Sequence, residues 1–130
     1  MKNILAFFTL GLLTSTSQAK IYHLITKSDL RQRITHQFLY EPSLKLEGFT
    51  HNATLNQVVP VANRHYKGMQ DTLLLEIDEK LLKFPLRYDY VEKLGQHFPH
   101  IYGPINLSAV VRIHPMPVNS DGTYRLPKNL

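Results

Sequence analysis

The chain has no cysteine. That excludes disulfide bridges, thiolate nucleophiles, iron–sulfur clusters and cysteine-ligated zinc fingers. A glycine-rich phosphate loop is also missing, and neither Ser43 nor Ser108 sits in a Gly-x-Ser-x-Gly frame. Basic residues form no run: Lys27, Arg31 and Arg33 are followed by scattered Lys45, Arg64, Lys67, Arg87 and Arg112, so no dedicated nucleic-acid patch is expected. There is no internal repeat, low-complexity tract or linker, which leaves room for one domain.

What is present begins with an export pattern. Lys2 supplies a positive start, Ile4–Leu13 is uncharged and apolar, and Ser17 and Ala19 are the small residues that a signal peptidase reads. Spanning a membrane takes ~20 apolar residues, so this run reads as a removable signal over residues 1–19. The expected mature chain starts at Lys20 in the periplasm or outside the cell, and carries no membrane span. Without Lys2 the formal charge of +5 falls to +4, which suits small anionic ligands.

Along the rest of the chain, Ile21–Ile25 reads as a strand. Thr26 and Asp29 have capping-box spacing and open a helix expected to run to Phe38. Tyr40-Glu-Pro-Ser43 breaks it, and Leu44–Thr50 alternates like a strand with a bulge at Gly48. Thr54-Leu-Asn-Gln57 opens a second helix toward Tyr66, where Pro60 demands a kink or a displaced start. Thr72–Asp78 reads as a central strand buried on both faces, and Leu86–Tyr90, Phe98–Gly103 and Ala109–His114 as further strands. The expected globular domain is 20–117, with 118–130 as an irregular tail; Pro115–Leu130 holds three of the eight prolines and Asp121-Gly122. The class is α+β with mainly antiparallel pairing.

Seven histidines stand out in so short a chain. His23, His51 and His100 lie on or beside apolar β segments, and imidazole is the side chain suited to proton transfer near neutral pH. Taken singly, each reads as a hydrogen-bonded packing residue. A functional reading requires all three to converge. No pair has the i, i+2 or i, i+4 spacing of a preformed chelate, so no metal site is expected. Glu76 reads as structural, and Tyr102 as a core residue with a bonded hydroxyl. Arg64 and Tyr66, two apart on a helix, should not face one site.

Five segments, taken in order, resemble the bacterial domain-of-unknown-function 952 family. They are Ile21-Tyr-His-Leu-Ile-Thr26, Glu47-Gly-Phe-Thr-His51, Val61-Ala-Asn-Arg-His-Tyr66, Leu73-Leu-Leu-Glu-Ile-Asp78 and Phe98-Pro-His-Ile-Tyr-Gly-Pro104. The resemblance implies an ADP-ribosyltransferase-like fold: two small antiparallel sheets, packed helices and a central cleft. It also implies site positions. His23 falls where the ribose of a cofactor is bound, Gly48–His51 where nicotinamide is stacked, and His100-Ile-Tyr102 near a position usually held by glutamate. Histidine in that last place leaves open NAD-like nucleotide binding, phosphate transfer of the RNA 2′-phosphotransferase kind, or non-catalytic recognition.

The resulting expectation is a monomer that binds a small nucleotide-type ligand, with an NAD-like nucleotide as candidate cofactor. His23, His51 and His100 are its candidate catalytic residues, and Thr26, Arg64 and Tyr102 contact the ligand. The other reading is a non-enzymatic binding module for a sugar or peptide outside the cytoplasm.

Overall fold

The computed structural model describes residues 19–130, so the expected export signal lies outside the described residues except for Ala19. The architecture is mixed α/β, with small antiparallel sheets and few helices. The first sheet pairs β1 (Lys20–Thr26), β5 (Thr72–Asp78) and β9 (Val110–Pro115) in the order β1-β5-β9. A second joins β2 (Ile34–Thr35), β3 (Phe38–Leu39) and β8 (Ile105–Asn106) in the order β2-β3-β8. The third joins β4 (Thr50–His51), β6 (Leu86–Val91) and β7 (Gln96–Ile101) in the order β4-β7-β6. The helices are α1 (Lys27–Arg33), α2 (Pro42–Glu47) and α3 (Val58–His65). None of the described helices is long and apolar enough to cross a membrane.

The two-residue period of β1 and β5 serves two cores. Ile21, Ile25, Leu75 and Ile77 point to one side and meet Leu39, Ile101 and Ile105. Tyr22, Leu24 and Leu74 point to the other and meet Val58, Ala62, Met116 and Tyr124. A strand covered on both faces must be apolar at nearly every position, which is why Thr72–Asp78 reads as a continuous hydrophobic run. Each fully buried aliphatic side chain contributes about 1.5–3 kcal/mol.

Several expectations need correction. The described residues form three small sheets, where two were expected, because the helix that was to reach Phe38 stops at Arg33. The chain then turns tightly at His36 and Gln37, whose φ values of 50° and 72° form the two-residue hairpin between β2 and β3. β-branched Ile34 and Thr35 favour that exit from the helix. Residues 44–50 are mostly helix, where a strand was expected. Pro42 occupies the first turn of α2 and Gly48 ends it in the left-handed region at φ 91°, the standard asymmetry of proline at the start and glycine past the end.

The α3 region shows the displaced start. A 3-10 turn over Leu55–Gln57 comes first and α3 begins at Val58, so Pro60 lies in the first turn, where its missing N–H has no helical partner to lose. The segment 118–130 contains no strand longer than a single bridge, yet it is part of the packing unit. Tyr124 is 3% exposed in the second core, and its hydroxyl shares a hydrogen bond with Thr72 Oγ1 at 2.9 Å. The boundary at 117 therefore cuts through a core.

A backbone stitch joins the first sheet to the third. Tyr22 and Ala53 exchange both hydrogen bonds at 2.8 Å, and Asn52 N donates to Pro99 O at 3.1 Å. Beside this stitch the two sheets diverge, and a cleft opens between them.

Candidate functional site

The cleft has a volume of about 430 Å³. β1 supplies Tyr22, His23 and Leu24, the β4 segment His51 and Asn52, β7 Phe98 and His100, and the end of α3 Arg64, His65 and Tyr66. His23, His51 and His100, from three separate β segments, thus share one cavity with Arg64. The i, i+2 argument against Arg64 and Tyr66 fails for a local reason. Tyr66 has left the helix, at φ −120° and ψ 2°, so helical spacing no longer governs it.

His23 is 3% exposed and both its ring nitrogens are occupied. Nδ1 donates to the His51 carbonyl at 2.7 Å, with Asn52 Oδ1 3.1 Å away. Nε2 lies 2.6 Å from Oε2 of Glu41, whose Oε1 accepts from Arg33 Nη1 at 2.5 Å. Arg33 also pairs with Asp29 at 3.2 Å. Burial pushes the Glu41 carboxyl upward, but hydrogen bonds and charge from His23 and Arg33 outweigh it and hold the group below its usual range. Glu41 is therefore the acceptor of this network, while His23 Nδ1 donates to a carbonyl and Nε2 faces the carboxylate. No ring nitrogen of His23 remains for a ribose hydroxyl. It acts by fixing the wall.

His100 has the opposite pattern. It is 4% exposed; Nδ1 donates to Asp89 Oδ2 at 2.8 Å, while buried Nε2 has no protein partner. The Phe49 ring stacks on it at 4.0 Å between centroids with 18° between planes. Asp89 is held at about 2, chiefly by the Tyr102 hydroxyl; burial works against this, and His100 and Arg87 add to it. The Arg87 guanidinium lies 4.7 Å over the Tyr102 ring.

These residues share a face because of strand register. His100 pairs with Arg87 on β6 and with His51 on β4, Phe98 pairs with Asp89, and Tyr102 follows His100 by two. His51 is half exposed, its Nε2 lies 2.8 Å from Glu47, and its ring stands nearly perpendicular to His100 at 5.2 Å. Tyr66 donates to Leu24 O at 2.8 Å, and burial, aided by the charge of Glu41, pushes its phenol up to about 12. It remains a neutral donor.

Two expected ligand contacts lie elsewhere. Thr26 Oγ1 accepts from Asp29 N at 3.2 Å and caps α1, so its hydroxyl answers the free amide of a helix start. Tyr102 is not on the cleft wall; its hydroxyl donates to Asp89. Glu76 is buried in the first sheet between Lys20 Nζ at 2.8 Å and His114 Nε2 at 2.9 Å. Sequence reasoning missed Arg33, Glu41, Asp89 and His65. The one available signal was Arg87-Tyr-Asp89, opposite charges two apart on a strand and so on one face. Among the described residues no group of three or more histidine, aspartate or glutamate side chains is arranged to hold a metal ion.

Fold and site define a small mixed α/β domain whose antiparallel sheets flank a cleft lined by histidines. The chain belongs to the family described as "Protein of unknown function (DUF952)", whose model matches residues 24–113. It is similar in fold to protein CC0527 from Caulobacter crescentus. The crystal structure of that protein gives a TM-score of 0.73 at 21% identity, covering 82% of this chain and 94% of the other. Its solution NMR structure gives 0.71 at 22% identity, covering 85% and 96%. No curated protein matches the chain.

Proposed function

We propose that the chain is exported and that its domain, of ADP-ribosyltransferase type, binds a nucleotide-type ligand in the histidine cleft. The observation that carries this reading is the meeting of His23, His51, His100 and Arg64 around one cavity of about 430 Å³. That volume is in the range of small-ligand sites, roughly 300–1,000 Å³. Tyr22, Leu24, Val61 and Phe98 offer apolar surface for a base, and Arg64 at the rim offers a planar cation for phosphate. His51 is the acid/base or stacking partner of the ligand, and group transfer is the reaction class such a site would serve.

The second reading is recognition without chemistry, of a sugar or peptide outside the cytoplasm. It is favoured by His23, whose ring nitrogens are both committed to the protein. A thermal-shift comparison of adenosine 5′-monophosphate, NAD and glucose separates the two. A nucleotide at a hundred times its dissociation constant should add ~2.7 kcal/mol of stability. Stabilisation by glucose alone would replace the first reading with the second. Export is tested separately by intact mass of the secreted protein, with Lys20 as the expected N-terminus; a secreted chain retaining Met1 would refute it.

A further inference from the structure

We infer that His100, set by Asp89, presents Nε2 as the cleft's hydrogen-bond acceptor for a hydroxyl of a phosphorylated polyol, with the ligand's phosphate at Arg64. The inference rests on the proposed binding role and assigns its polar contacts. Three observations support it. His100 is nearly fully buried, yet Nε2 has no protein partner, whereas buried polar atoms are paired in the great majority of cases. Nδ1 is turned to Asp89 on β6, so Nε2, on the far side of the ring, is turned away from that carboxylate, and His100 is part of the cleft wall. Asp89 is ionised and accepts from Nδ1–H, and the tautomer whose one ring proton is on Nδ1 carries a bare lone pair on Nε2.

Asp89 is a positioning residue in this arrangement. The Tyr102 hydroxyl and the Arg87 guanidinium hold its carboxylate, and Phe49 fixes the plane of the imidazole. A ring locked at one nitrogen and stacked on one face has little freedom left, so the lone pair has a set direction. His51 stands beside it, tethered only through a half-exposed pair with Glu47, and surface pairs of this kind are weak. Because Nε2 is buried, such a contact requires the neighbouring His51 ring to rotate before a ligand reaches it. Arg64 makes no ion pair among the described residues, which leaves its charge available for the phosphate. The hydroxyl and the phosphate can belong to a nucleotide or to a sugar phosphate.

The experiment uses histidine-ring nitrogen NMR on the purified chain, with adenosine 5′-monophosphate and ribose 5-phosphate as probes. Before any probe is added, His100 should show a protonated Nδ1 and a bare Nε2, and Asp89→Asn should disturb that pattern while Asp89→Glu largely restores it. A protonated Nε2 in the wild-type protein overturns the inference. On titration, the probe that binds should shift the Nε2 signal. His100→Phe keeps the stacking on Phe49 and removes the acceptor, so affinity should fall about 2- to 13-fold, as for one hydrogen bond. His100→Gln, which offers a carbonyl oxygen, should lose less. Binding of either probe with equal affinity in wild type and His100→Phe overturns the inference while the proposed function stands. If neither probe binds, the proposed function fails and the ligand contact assigned to His100 falls with it. Binding by ribose 5-phosphate but not the nucleotide would assign a sugar phosphate.

Discussion

Arg33 and His23 hold opposite oxygens of one carboxylate: Arg33 Nη1 lies 2.5 Å from Oε1 of Glu41, and His23 Nε2 lies 2.6 Å from Oε2. Glu41 thereby ties α1 to β1 through the segment that leads into α2. Breaking a buried pair at one partner leaves the other uncompensated, which typically costs 3–5 kcal/mol. Arg33 is partly exposed and can turn to water, so Glu41→Gln is expected to cost about 2–3 kcal/mol in urea unfolding. A loss below ~0.5 kcal/mol would show that the network is ornamental.

The same carboxylate predicts an acid limb. Glu41 is held below its ordinary 4.5 in the folded protein, so the unfolded chain binds more protons between the two values. Its contribution is fully present above about pH 5 and is lost as pH falls through the folded value. Wild type should therefore lose more stability than Glu41→Gln as pH falls below about 4.5. Parallel acid limbs for the two proteins would contradict this.

Tyr102 is the first cause of the low value at Asp89. In Tyr102→Phe, the Asp89 carboxyl should titrate closer to its ordinary 3.8 than to 2, as followed by carboxyl-carbon NMR. An unmoved titration would assign the effect to His100 and Arg87.

Tyr124 tests the tail. Its ring is buried with Val58, Leu74 and Met116, and its hydroxyl donates to Tyr66 O at 2.7 Å. Tyr124→Phe should cost about 1 kcal/mol and Tyr124→Ala about 3–5 kcal/mol. A chain truncated after Pro117 that melts like the full protein would show instead that the tail is dispensable.

Gln37 tests the hairpin. It and His36 adopt a left-handed conformation that costs an ordinary residue roughly 1–2 kcal/mol. Gln37→Gly should relieve most of that while losing about 0.5–1 kcal/mol of chain entropy, for a net gain of about 0.5–1 kcal/mol at the denaturation midpoint. A drop in stability would mean that the Gln37 side chain contributes more than its backbone costs.

Much of the first sheet was legible because its residues report their own surroundings. Ile21–Ile25 and Thr72–Asp78 are apolar at successive positions because their two faces serve two cores, and short runs of this kind suit a strand covered on both sides. The α2 segment was misread because Leu44-Lys-Leu-Glu alternates like a strand, while its true markers, Pro42 and Gly48, lie at the edges. The three histidines could be singled out, and so could the need for them to converge. Their acid partners could not. Glu41 is 18 residues from His23 and Asp89 is 11 from His100, and both pairings depend on how separate elements dock. Which nitrogens are occupied follows from that docking, and it reverses the part assigned to His23.

The paired amide–carbonyl bonds between Tyr22 and Ala53 bear on the speed of the cleft. Two sheets stitched through the backbone cannot separate at Tyr22 and Ala53 without breaking both bonds, which restrains the mouth beside them. Admission is then governed by rotation of an exposed side chain such as His51, which takes picoseconds to nanoseconds, not by domain opening over microseconds to milliseconds. Capture of a ligand should follow a single concentration-dependent phase with no slow isomerisation behind it. The lifetime of the complex is then left to the contacts made inside.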